Sequence, residues 1–68
     1  MNVGTPGTYN ASGTLRAAQV MADNGGTVDI AYVAPSVGGP PTKVDWTRAT
    51  VSVDASYPPA NGKFAVLP

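Results

Sequence analysis

Asp23-Asn24-Gly25-Gly26-Thr27-Val28-Asp29-Ile30-Ala31-Tyr32-Val33-Ala34-Pro35 decides the fold class of this 68-residue chain. Its second half alternates: Val28, Ile30 and Tyr32 point one way, and Asp29, Ala31 and Val33 the other. This is the period of a strand with one fully apolar face. Pro35 ends the run, because it cannot donate to a ladder. Asn24-Gly25 at the front is a strong hairpin signal, since both residues tolerate positive φ. The preceding piece admits two readings. Leu15, Arg16, Ala17, Ala18, Gln19, Met21 and Ala22 are good helix formers, with Ser12 or Thr14 as a cap and Asn24-Gly25 as a stop. Alternatively, residues 16–22 form the first arm of the hairpin. The hairpin is favoured, because two unpartnered helical turns are marginal and the strand after the turn needs a neighbour.

Working outward, residues 36–41 are a loop containing Gly38-Gly39-Pro40-Pro41. Residues 43–54 are the longest strand-like run, but the apolar parity changes along it. Val44 and Trp46 fall on one register; Ala49, Val51 and Val53 fall on the other. That change predicts a bulge or strong twist near Thr47-Arg48. Residues 57–62 (Tyr-Pro-Pro-Ala-Asn-Gly) form a turn-rich connection, and residues 63–67 a last short strand. Residues 1–12, without apolar periodicity, read as a Gly/Pro-rich extended N-terminal arm, suited to strapping onto a neighbour. The expectation is mainly β: a small antiparallel sheet or partly open barrel of four short strands, with an arm at 1–12 and one domain at 13–68.

Composition bounds the chemistry. There are four basic and four acidic side chains, net charge zero, and neither His nor Cys. The charged fraction is 12%, half the ~25% usual for soluble domains, which argues against nucleic acid as a partner. Without His or Cys there are no disulfides, thiol nucleophiles or imidazole bases, and no zinc site of the Cys/His kind. No stretch is apolar and long enough for a membrane helix, and residues 1–7 lack the features of an export signal, so neither a membrane nor export is expected. Large aliphatic and Phe side chains beyond valine are only Leu15, Ile30, Phe64 and Leu67. So thin a core predicts that part of the chain's burial is supplied by another protein.

Individual motifs give bland readings. Asp23, Asp29, Asp45 and Asp54 lack the alternating oxygen pattern and closing Glu of a calcium loop, and read as turn aspartates. Ser12, Ser36, Ser52 and Ser56 have no His to activate them and no G-x-S-x-G or S-x-x-K spacing. Asn10-Ala11-Ser12 matches a glycosylation acceptor, a pattern that arises easily by chance. Lys43-Val44-Asp45-Trp46-Thr47-Arg48 puts Trp46 and Arg48 on one face, an ordinary cation–ring neighbourhood rather than a base-stacking site. Trp46, the bulkiest side chain, is expected in the core. Tyr9 and Tyr57, in Pro/Gly-rich surroundings, are expected at an interface.

These readings point to a non-enzymatic structural protein, without cofactor or metal, that docks on a larger assembly. The composition, rich in Gly, Pro, Ala, Thr and Val, low in charge and free of cysteine, resembles that of small proteins decorating bacteriophage heads. That resemblance implies a capsid decoration (cement) role at the virion surface, otherwise in the host cytoplasm, with other capsid-like subunits or copies of itself as partners. The expected contact residues are Val3, Pro6, Tyr9, Val37, Pro40, Pro41, Tyr57, Pro58 and Pro59. The alternative is a small monomeric carbohydrate- or peptide-binding β module that uses Trp46 and the tyrosines as a stacking platform.

Overall fold

The computed structural model describes residues 1–39 and 43–68. It contains five strands: β1 (Pro6–Ala11), β2 (Thr14–Asp23), β3 (Val28–Pro35), β4 (Val44–Val53) and β5 (Lys63–Val66). They form one mixed sheet that closes on itself in the order β1-β2-β3-β4-β5. Consecutive strands β1 to β4 pair antiparallel, β5 runs antiparallel to β1, and the ring closes by a short parallel contact of Ser52 and Val53 with Lys63 and Phe64.

Residues 16–22 are strand, in the hairpin that the Asn24-Gly25 turn predicts. The Asn24 N–H donates to the Thr27 carbonyl at 2.9 Å, and the Asp23 carboxylate accepts the Gly25 N–H at 2.9 Å. Both bonds are local devices that turn residues supply. The register irregularity lies elsewhere than expected. β4 pairs with β3 without a break from Val28 opposite Val51 to Pro35 opposite Val44, and the slip falls in β2, between Val20 and Ala22. The parity change in β4 has a simpler cause. Odd residues face inward and even residues outward along its whole length, so Val44 and Trp46 are outward-facing apolar residues rather than core residues displaced by a bulge.

Within residues 1–12, Pro6–Ala11 are β1, held between β2 and β5. Residues 1–5 fold back along β2: the Gly4 N–H donates to the Val20 carbonyl and the Val20 N–H to the Thr5 carbonyl. Ser12 and Gly13 both have positive φ and close a tight two-residue turn into β2, the geometry whose twist suits a hairpin. β1 shows no periodicity in the sequence because Gly7 occupies an inward position. A Cβ there would strike the Ala65 carbonyl and the Phe64 ring. The missing side chain lets Phe64 sit under β1.

The core is Ala18, Val20, Val28, Ile30, Val51 and Phe64, with Tyr9, Tyr32 and Ala49 packed against it. Phe64 takes the central place expected of Trp46, with no exposed surface. The Tyr9 and Tyr32 rings meet at 4.7 Å, tilted by 48°, within the range favourable for aromatic pairs. Small as it is, the ring buries its own surface normally. Its accessible area is 4118 Å², close to the ~4,000 Å² expected of a compact monomer of this mass. The loop after β4 lies over the outer side of β1. There the Thr8 and Tyr57 hydroxyls are bonded at 2.9 Å, and Asn10 Nδ2 donates to the Pro59 carbonyl at 3.0 Å.

Candidate docking surface

β2 pairs with β3 only as far as Ala18 opposite Tyr32, whereas β3 and β4 continue together to Pro35 opposite Val44. Residues 33–35 and 44–46 therefore leave the ring as a two-stranded ribbon. Its outward face carries Val33 opposite Trp46 and Pro35 opposite Val44. Trp46 is 59% exposed and Val44 56%. An indole held in water on a strand is unfavourable by the same transfer free energy that would stabilise a contact, ~25 cal/mol for each Å² later covered.

The ribbon is braced. The Ser36 N–H donates to the Lys43 carbonyl at 2.9 Å, and Ser36 Oγ donates to Asp45 Oδ2 at 2.7 Å. Toward the ring, Arg48 and Thr50 continue the outward row beside an open concavity of about 410 Å³ lined by Asp29, Arg48, Ala49 and Thr50. Asp29 Oδ1 accepts from Thr50 Oγ1 at 2.7 Å and from Asn24 Nδ2 at 2.9 Å. The Thr50 and Asn24 bonds, with a smaller contribution from the Arg48 charge, hold the Asp29 carboxyl below the ordinary 3.8. A carboxylate so occupied is a poor proton acceptor at neutral pH. Asp54 is likewise held low, by the N–H groups of Ala60 and Ser56, each at 2.9 Å. Each of the four aspartates thus serves a turn, a strand end or a ladder. Among the described residues, no group of three or more acidic side chains gathers as metal ligands would.

The expected contact residues are distributed around the molecule. Val3 is 70% exposed in the segment that folds back beside the end of β2, and Val37 is fully exposed beyond the far end of β3. Pro6 is exposed at the start of β1. Tyr57 and Pro58 are exposed over β1, while Pro59 is buried under that loop. Tyr9 is half-buried and committed to Tyr32 and the core. Pro40 and Pro41 lie outside the described residues. Of the described residues among these positions, Val37 alone adjoins the ribbon; the two large side chains on its outward face, Val44 and Trp46, are additional. Their signal was present in the sequence. Arg48, Thr50 and Ser52 share the even register beside the apolar odd positions Ala49, Val51 and Val53, which marks the even row as the outer face, although Asp45 and Thr47 make the odd row polar at its start. Asn10 of the glycosylation pattern has a structural task, since its Oδ1 accepts the Gly13 N–H at 2.7 Å while its amide holds Pro59.

No family model, curated protein or solved structure matches this chain. The fold and the surface define its class: a small mixed β ring carrying a braced, outward-apolar ribbon.

Proposed function

We propose that the chain is a non-enzymatic docking module that seats the outward face of its β3–β4 ribbon on another protein. One observation carries this reading: the largest side chain in the sequence stands in solvent on a braced ribbon beside Val44, while Phe64 fills the core. Aromatic residues on a rigid base are the usual anchors of protein contacts, because they bury much area at little conformational cost. A zero net charge fits a contact made by apolar burial rather than by electrostatic steering. In its particular form, the proposal is a decoration protein on a bacteriophage capsid, at the virion surface. Its support is compositional. A stacking platform for sugars fits less well, since Tyr9 and Tyr32 are spent on each other and Tyr57 is bonded over β1.

The test is occupancy of the native particle by substituted chains. Trp46→Asp places a charge in the proposed contact without touching the core, and Val3→Asp makes the same change on a remote exposed segment. Binding of Trp46→Asp is expected to fall by ~10-fold or more, equivalent to about 1.4 kcal/mol or more, with Val3→Asp unaffected. Equal occupancy by the two folded variants would refute the reading.

A further inference from the structure

β4 has a second unused surface, its backbone edge. Its contact with β5 is confined to Ser52 and Val53, so among the described residues the side of 44–51 away from β3 has no strand beside it. The direction of the backbone groups there follows from one bond. The Ser36 N–H donates to the Lys43 carbonyl in register with the β3–β4 pairs, which makes 36 and 43 a hydrogen-bonded pair. In an antiparallel ladder such pairs alternate with non-bonded ones. Residues 45, 47, 49 and 51 therefore direct their N–H and C=O groups at β3, and Val44, Trp46, Arg48 and Thr50 direct theirs outward. Pro35 fits this alternation, lying opposite Val44 in a non-bonded pair that asks it for no N–H.

We infer that this edge pairs antiparallel with the same edge of a second copy of the chain, about a two-fold axis at Thr47. The edge is complementary to itself. A two-fold axis normal to a sheet keeps each side chain on its own face, so opposed residues must share parity. Centring on Thr47 sets Trp46 against the partner's Arg48 and Val44 against the partner's Thr50. All four outward-directed residues then exchange both of their bonds. It also lays a guanidinium beside an indole on each side of the axis, a favourable electrostatic contact. Centring on Arg48 would oppose two guanidinium groups, and centring on Trp46 would carry Thr50 past the start of the partner's strand. Val44 to Val51 contains no proline, no lysine and no bulge to block such pairing; its two charges are Asp45 and Arg48, and the latter is used by the pairing itself. The two readings share Trp46, but this one rests on the backbone edge and is read by cross-linking at Thr47, whereas the docking reading is tested by occupancy of the native particle, so each can fail alone.

The register is testable because the chain has no cysteine. Thr47 would face its own copy in a non-bonded pair, where Cα atoms are about 4.5 Å apart and a disulfide can close. Val44 would face Thr50 instead. Under mild oxidation Thr47→Cys is expected to form a disulfide dimer ~10-fold or more faster than Val44→Cys. The mass of the unsubstituted chain in sedimentation equilibrium is expected to rise toward twofold between about 1 and about 500 µM. A mass that stays monomeric across that range, or equal cross-linking rates for the two variants, overturns the inference.

Discussion

At the residue scale, the structure separates bulk from burial. Phe64 is enclosed and Trp46 is not, so the smaller ring should matter more for stability. Phe64→Ala is expected to cost about 3–5 kcal/mol, and Trp46→Ala within ~0.5 kcal/mol of zero, both read by urea unfolding. Trp46 should also emit near the wavelength of free indole in the folded chain; a strongly blue-shifted emission would place it indoors. Asp54 gives a pH prediction. Its folded pKa lies below the ordinary 3.8 because the Ala60 and Ser56 amides bond the charged form. The stabilisation is therefore present above 3.8 and is lost as pH falls through the lower folded value. Asp54→Asn should be less stable than the parent chain at neutral pH, and the gap should close in acid below 3.8. A gap that persists there would assign the effect to the substitution itself rather than to the carboxylate's charge.

At the element scale, the alternation of backbone direction along β4 makes neighbouring positions behave oppositely. The Thr47 N–H points at β3, and the Arg48 N–H points away from it. Thr47→Pro should unfold the chain, whereas Arg48→Pro should keep the native circular dichroism, since proline is tolerated where an edge N–H faces solvent. The β3 strand and the hairpin before it were legible in the sequence because period-two alternation and an Asn-Gly turn coincide there. β1 was not legible as a strand. Its inward position Gly7 has no side chain to register, and its closing turn uses Ser12-Gly13 rather than a stronger turn pair. β4 was legible as a strand but misread in its faces: two outward apolar residues, Val44 and Trp46, mimicked a slip. The exposed face of the ribbon was not legible for the same reason, since an exposed tryptophan violates the expectation that the bulkiest side chain completes the core.

At the scale of the whole molecule, composition predicts a chain short of core, and the closed ring is built around a small one. Six residues form the buried apolar cluster, yet the accessible area is that of an ordinary compact monomer. The isolated chain is expected to unfold cooperatively with about 3–5 kcal/mol or less, the scale for domains of this size. A partner at 100 times its Kd would add about 2.7 kcal/mol. On the proposed reading, a docked partner would add to the stability of the ring. On the proposed reading, the outward face of the β3–β4 ribbon is the surface covered in the native assembly. Hydroxyl-radical footprinting of the chain, free and in its native particle, with oxidation read peptide by peptide, distinguishes a covered ribbon from a free one. Trp46 and Val44 are expected to become protected on assembly while Val3 and Tyr57 stay reactive. Undiminished oxidation of Trp46 in the particle, with protection confined to Val3 or Tyr57, would contradict it.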